Sequence, residues 1–414
     1  MWEAVFATGL RRGILSGRLT VVFPDGHARS FGPGGLPEVT VRLNAPNLVR
    51  RIVLSPEVAL GEAYMAGTLS VDGDDLKGFL TVIVRSVLMA GQSLSGRWLQ
   101  AHKAMMRLSD WNPAARARAN VAHHYDLTDQ FYGLFLDAQK QYTCAYFREP
   151  GMTLDQAQAA KMAHIGAKLL IRPGMRVLDI GSGFGTLALT LARDFGAQVV
   201  GVTLSEVQLS EAKARARAAG LEGQVTFRLQ DYRAVAGQFD RVVSVGMMEH
   251  VGRPHLATYF RKVHELLSDD GVALIHYIAR PGQPETISPW FQKYIFPGAY
   301  CPALSEITPV VQQSGLILTD LEVWRGHYDQ TLAAWRGRFE ANLDQVRALY
   351  DEGFVRMWRY YLTAAEASFT EGALTVHQLQ LTRQQSAVPS TRDYLYQPES
   401  ALAAKEPRPA ALSA

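Results

Sequence analysis

A chain of 414 residues with 48% hydrophobic content has enough apolar material for two domains, or for one large domain with an appended module. Lys and Arg outnumber Asp and Glu by only 42 to 39, and the resulting charge of +3 excludes the strong basic excess of a dedicated nucleic-acid binder. The two cysteines, Cys144 and Cys301, form no CxxC pair and no spaced ligand set, so neither a metal site nor a disulfide framework is expected, and reduced thiols in a cytoplasm fit best.

The opening Met1-Trp2-Glu3-Ala4-Val5-Phe6 lacks the basic-then-apolar order of a signal peptide. No run approaches the ~18 apolar residues of a spanning helix; the best, 79–91, carries Arg85 in its middle. Any membrane contact is therefore expected to be peripheral. Residues 1–95 read as a small mixed α/β module, with an amphipathic helix, alternating strands at 18–23 and 39–43, and helical patterns through Tyr64 and Phe79. Turn signals Pro24-Asp25-Gly26 and Gly32-Pro33-Gly34-Gly35 separate the strands. Residues 96–139 read as a basic linker and helix; from Arg97 to Tyr125, Arg97, Lys103, Arg107, Arg116 and Arg118 are opposed only by Asp110. By itself such a charge run is a solvated helix face.

From 140 to 397 the pattern becomes strand, turn, helix, strand, repeated, with apolar strands at 176–180, 198–203, 225–229, 239–245 and 272–277. Nearly continuous hydrophobic strands imply a sheet covered on both faces, the signature of a doubly wound, Rossmann-like α/β fold. Residues 398–414, rich in Ala, Pro and Ser, are expected to form a flexible tail.

Asp179-Ile180-Gly181-Ser182-Gly183-Phe184-Gly185 follows the first of these strands and opens a helix. Gly181, Gly183 and Gly185 permit a tight turn and close approach of a ligand to free helix N–H groups. A plain structural turn and a nicotinamide-binding turn are alternatives. The spacing is Asp-x-Gly-x-Gly-x-Gly rather than Gly-x-Gly-x-x-Gly, and the Asp179 carboxylate suits an ammonium and a sulfonium while repelling a pyrophosphate. The second strand ends in Thr203, Ser205, Glu206 and Gln208, groups suited to ribose hydroxyls, and the third in Gln230, Asp231 and Tyr232, suited to an adenine. Glu206 as first-turn helix charge and Tyr232 as core packing stay open. The three strand ends together point to S-adenosylmethionine.

Several strings carry a family resemblance: His124-Tyr125-Asp126-Leu127, Gln141 to Phe147, Val177 to Gly185, Gly201 to Ser205, Phe239 to Gly252, and Lys293 to Pro297. The sequence resembles the cyclopropane fatty-acid synthase and mycolic-acid methyltransferase family from about residue 61 to about 383. Its N-terminal module is similar to that of the bacterial phospholipid-modifying branch. The resemblance implies a class I S-adenosylmethionine-dependent methyltransferase domain with a smaller lipid-associating N-terminal module, acting at a phospholipid bilayer on unsaturated acyl chains. It also implies a homodimer, a cytoplasmic enzyme peripheral to the inner face of the membrane, and no nucleic-acid partner. In that setting the basic stretch 97–125 becomes a patch facing lipid phosphates.

The resemblance further places Tyr142 and Thr143 in the cofactor set, and a bicarbonate ion at Cys144, Glu249, His276, Ile278 and Tyr328. Taken alone, Cys144 reads as a small buried hydrophobe, His276 as a core histidine and Tyr328 as a half-buried aromatic. Glu249 follows an apolar strand where an α/β domain puts its chemistry. Alkene attack on a sulfonium methyl leaves a carbocation, which aromatic faces stabilise; Tyr142, Tyr146, Phe147, Tyr277, Tyr294 and Phe296 are candidates. Bicarbonate would then remove a proton to close a cyclopropane. Ser182 and Phe184 stand where the family has cysteine and tryptophan, and Thr143 where it has serine. Tyr277 and Ala279 flank the base site, so methylation without ring closure, giving a methyl-branched chain, is the alternative. A soluble-metabolite O- or N-methyltransferase and a non-catalytic lipid binder explain fewer of these residues.

Overall fold

The computed structural model describes residues 1–90 and 127–396; the basic stretch 97–125 and the tail 398–414 lie outside the described residues. The chain begins with α1 (Trp2–Gly13), then β1 (Gly17–Val22), β2 (Ala28–Gly34) and β3 (Glu38–Leu43). Next come α2 (Leu48–Leu54), α3 (Pro56–Met65), β4 (Leu69–Val71) and α4 (Leu76–Ala90). The four strands form one sheet in the order β2-β1-β3-β4, with β1 and β3 parallel and the other pairs antiparallel. Alternation sends Leu19 and Val21 of β1 and Val39, Val41 and Leu43 of β3 inward. Strand β2 was not expected, because the sequence signals a turn there. Gly32 and Gly34 adopt φ of +100° and +96°, so the strand runs through a stretch that would otherwise end it.

The second unit opens with α5 (Asp129–Phe135) and α6 (Leu154–Lys168), the latter started by a capping box between Thr153 and Gln156. There follow β5 (Arg176–Ile180), α7 (Thr186–Phe195), β6 (Gln198–Thr203), α8 (Glu206–Ala218), β7 (Val225–Leu229) and β8 (Phe239–Val245). The chain continues through α9 (Leu256–Leu266), β9 (Leu267–Ala279), α10 (Pro289–Tyr294), α11 (Leu304–Ser314) and β10 (Ile317–Trp324). It closes with α12 (Tyr328–Ala341), α13 (Leu343–Leu349), α14 (Glu352–Thr370) and β11 (Thr375–Thr382). The seven strands lie in the order β10-β11-β9-β8-β5-β6-β7. β7, β6, β5, β8 and β9 are parallel, and β11 runs antiparallel between β9 and β10.

The five expected strands are present, and the sheet adds β10 and β11. The sequence of β11, Thr-Val-His-Gln-Leu-Gln-Leu-Thr, alternates as if one face met water, yet every residue is buried. Its polar side chains find partners inside: Gln378 with His276, Gln380 with the Lys168 carbonyl, and His377 with Tyr277. Strand order reverses between β5 and β8, which opens a crevice at their C-terminal ends.

The N-terminal sheet shares one continuous core with α5, α12 and α14. Glu366 of α14, buried, joins Lys77 Nζ of α4 at 2.5 Å and Arg336 Nε of α12 at 2.7 Å, while Arg85 Nε meets Glu371 at 2.6 Å. Among the described residues no helix is long and apolar enough to cross a membrane.

Phe131 of α5 is the centre of the aromatic packing, with Phe135, Phe339, Tyr350, Phe354 and Trp358 at centroid distances of 5.0–6.4 Å. Phe131→Ala is expected to cost roughly 3–5 kcal/mol in urea unfolding, since no neighbour can collapse into the space without breaking its own ring contacts.

Candidate active site

The loop between α5 and α6 carries Tyr142, Thr143 and Cys144, and its shape is fixed from within. Buried Asp137 accepts N–H bonds from Gln139 at 2.9 Å and Gln141 at 2.8 Å. Gln158 of α6 donates to the Thr143 carbonyl at 2.9 Å, and the Ala145 N–H donates to Thr331 Oγ1 of α12 at 3.0 Å. The loop is thereby clamped over the C-terminal ends of β5 and β8, where two cavities meet.

The smaller cavity, about 190 Å³, is lined by Tyr142, Thr143, Asp179, Gly181, Gly183, Thr203, Gln208, Gln230, Asp231 and Tyr232 among others. Asp179 is buried at the end of β5, its Oδ2 has no partner, and burial pushes its carboxyl up to about 7. Thr203 Oγ1 donates to Gln208 Oε1 at 2.9 Å, so these two side chains hold each other at the cavity wall. Asp231 is engaged by Arg233 at 2.6 Å and Gln230 Nε2 donates to the Ala234 carbonyl at 2.9 Å. Tyr232 lies edge-on to Tyr259, with centroids 5.4 Å apart.

Two residues expected in this set lie outside the lining. Ser205 caps α8, accepting the Gln208 N–H at 3.3 Å. Gly185 caps α7 at φ +83°, and a Cβ there would come within 2.6 Å of the Phe227 ring, so its role is helix-on-sheet packing. Lys161 of α6 was not anticipated. It is buried, lines the small cavity and donates from Nζ to Thr143 Oγ1 at 2.7 Å, and burial lowers its amine to about 8. On sequence alone it is one more charge on a helix, with no signal of its inward orientation.

The larger cavity measures about 1190 Å³, above the roughly 300–1,000 Å³ of ordinary ligand pockets. Cys144, Glu249, His276, Ile278 and Tyr328 all face it. Glu249 follows β8, buried; its Oε1 accepts the Ile278 N–H at 2.6 Å, its Oε2 has no partner, and burial pushes it up to about 7 against the opposing pull of that amide. His276 is held well below its usual range by burial, so the ring is neutral. Gln378 Nε2 lies 3.1 Å from His276 Nδ1; with the amide so oriented, Nδ1 accepts and the proton is on Nε2. Cys144 donates to the Ala145 carbonyl, and burial raises its thiol well above the usual range, so it is no thiolate nucleophile.

Of the aromatic candidates, Tyr142 and Phe296 line this cavity. Tyr146 instead stacks against both His164 and Trp324, at 4.6 and 4.7 Å. Tyr277 does not flank the base site: strand alternation turns it and Ala279 to the other face of β9, into a separate core where Tyr277 meets His377. Phe147 and Tyr294 are likewise not in the lining, whereas Phe291, Tyr360, Tyr361 and Phe369 are. These four fall outside the strings that carry the resemblance, and the packing of α10 and α14 brings them there. The two cavities share Tyr142, Thr143, Gly246 and His250, which form the neck between them.

A family model described as mycolic acid cyclopropane synthetase matches residues 113–379. The chain belongs to that family. A second model, described as a domain of unknown function, matches residues 8–94. Relatives include the cyclopropane-fatty-acyl-phospholipid synthase of Escherichia coli, 36% identical over 84% of this chain and 89% of its own length. The tuberculostearic acid methyltransferase UfaA1 of Mycobacterium tuberculosis is 36% identical over 91% and 90%. The structure of the mycolic acid cyclopropane synthase CmaA1 complexed with SAH and CTAB superposes with a TM-score of 0.61 at 31% identity, over 66% of this chain and 99% of that one. The chain is thus an S-adenosylmethionine-dependent methyltransferase with the class I fold.

The small cavity of this synthetase-family enzyme fits S-adenosylmethionine, since a buried carboxylate oxygen without a partner is the group an ammonium requires. Asp179→Asn is expected to weaken S-adenosylhomocysteine binding roughly 10–100-fold in calorimetry, the loss of one charge-assisted hydrogen bond. Glu249 gives a pH prediction. Its folded value of about 7 exceeds the ordinary glutamate value of 4.5, so the stability it contributes is complete below about pH 4 and is lost as pH rises through 7. In the ligand-free protein Glu249→Gln is therefore expected to gain about 2 kcal/mol on the wild type between pH 5 and pH 8.5, read by urea unfolding.

Proposed function

We propose that this enzyme methylates the cis double bond of unsaturated acyl chains in membrane phospholipids and closes a cyclopropane ring. The observation that supports this reading most directly is the junction itself: a cavity walled by the unpartnered Asp179 carboxyl and suited to the cofactor opens through four residues into a large, mainly apolar chamber that contains one buried, half-satisfied carboxyl. Residues 1–95 and the basic stretch 97–125 would keep the enzyme peripherally at the bilayer.

Asp179, Thr203, Gln208, Gln230, Asp231 and Tyr232 would hold S-adenosylmethionine, which supplies an electrophilic methyl on a sulfonium. The apolar walls, among them Leu80, Ile83, Phe291 and Phe369, take up the acyl chain and exclude water from the neck. Tyr142 stands at that neck with its hydroxyl 2.8 Å from that of Tyr361, presenting ring density to a carbocation formed nearby, each well-placed ring contributing roughly 0.5–2 kcal/mol.

Glu249, His276 and Tyr328 would hold bicarbonate, which supplies the proton acceptor; Cys144 and Ile278 complete the lining. The donors available fit an anion. His276 offers Nε2–H, Tyr328 keeps its phenol proton because burial raises it well above the usual range, and Glu249 at about 7 is readily protonated at Oε2. Methylation without ring closure would follow from a proton acceptor placed nearer the chain than the new methyl. Tyr277 and Ala279, which had favoured that outcome, face away from the chamber.

Incubation with unsaturated phospholipid vesicles and methyl-labelled cofactor is expected to give upfield cyclopropane protons in NMR of the fatty acids. Glu249→Gln and His276→Ala are expected to slow the reaction at least about 100-fold. Methylated product with its unsaturation retained would replace ring closure by the branched-chain outcome, and methylation confined to soluble oxygen or nitrogen acceptors would remove the lipid reading altogether.

A further inference from the structure

Helix α4 carries apolar side chains in two directions. Leu76, Phe79 and Val82 are buried against the N-terminal sheet, where Val82 lies beside Gly17 of β1 and helix residue Gly78 beside Val39 of β3. Leu80, Ile83, Val84, Val87 and Leu88 form a second stripe at i, i+3, i+4, i+7 and i+8, and all five line the large cavity. No neighbouring side chain fills the space this stripe faces, because the space is the chamber that also holds Glu249 and His276.

The helix is anchored from the catalytic side. Lys77 and Arg85 reach Glu366 and Glu371 at 2.5 and 2.6 Å, and α14 itself contributes the small residues Ala364 and Ala365 beside the stripe. From residue 80 to residue 88 the stripe extends about 12 Å at 1.5 Å of rise per residue. It runs from Leu80, 5% exposed, to Val87, 45% exposed, that is, from the interior to the solvent. The synthetase family model begins at residue 113, so α4 belongs to the separately matched N-terminal segment.

We propose that this stripe is the surface along which one arm of the acyl chain lies, and that it sets which acyl chains the enzyme accepts. The proposal rests on the lipid reading above and adds that the N-terminal segment acts as part of the substrate site. Removal or addition of side-chain bulk at mid-stripe changes the length of chain that fits, and apolar pockets discriminate a methylene or two by roughly tenfold or more.

The test uses full-length enzyme on phosphatidylglycerol vesicles that mix palmitoleoyl, oleoyl and vaccenoyl chains. The first two differ only beyond the double bond, and the first and third only before it. Ile83→Trp is expected to shift the product ratio about tenfold toward palmitoleoyl over one of the longer chains. Val84→Ala, which only removes bulk, is expected to move the ratio the other way and to keep the fold if the tryptophan variant does not. Both are expected to bind S-adenosylhomocysteine as the wild type does. Wild-type product ratios in folded variants would overturn the assignment of α4. A wild-type enzyme that methylates none of the three chains would instead overturn the lipid reading, and the assignment with it.

Discussion

The site depends on a carboxyl group kept out of water without being fully paired. Glu249, which lines the chamber, has one oxygen tied to the backbone of β9 and the other buried without a partner, and the missing solvation leaves the group balanced near neutrality. A carboxyl in water would be ionised at neutral pH and would lack this capacity to donate as well as accept. Everything that encloses it serves that balance: the loop clamped by Asp137, the walls of α4 and α14, and the end of β8 from which it emerges.

Enclosure on this scale explains why the N-terminal sheet and the seven-stranded unit share a core. A cavity of about 1190 Å³ is space in which side chains forgo contact with one another, and its rim must be braced by contacts elsewhere. The aromatic packing around Phe131 and the ion pairs of Glu366 lie beside the chamber and not within it. Such pairs, buried on the Glu366 side alone, contribute little to net stability but penalise any other arrangement of α4 on α14.

Much of this was legible in the sequence, and for identifiable reasons. Continuous apolar runs disclosed β5 to β9, and the Asp179 to Gly185 string disclosed the turn that opens the small cavity. The five residues that the family resemblance assigned to one pocket do converge on one chamber, although they come from four separate segments of the chain. What stayed hidden was decided by tertiary context. Strand β11 looks half-solvated, yet Thr375, His377, Gln378 and Gln380 reach other buried groups, a circumstance no local pattern encodes. Lys161 is hidden for the same reason. Ser205 and Gly185 lie in the right string but are used for capping and packing, and Tyr277 fell on the wrong face because a one-residue step along a strand reverses direction.

Strand β11 is the last strand among the described residues in chain order, yet it is inserted between two earlier ones and supplies Gln378 to the His276 ring. A nascent chain emerging from the ribosome would therefore carry an incomplete sheet, with β9 lacking one neighbour and the imidazole lacking the amide that fixes its proton, until β11 itself has been made. Competence arrives in one late step, so a chain stalled during translation has a donor pocket but no finished chamber in which to use it.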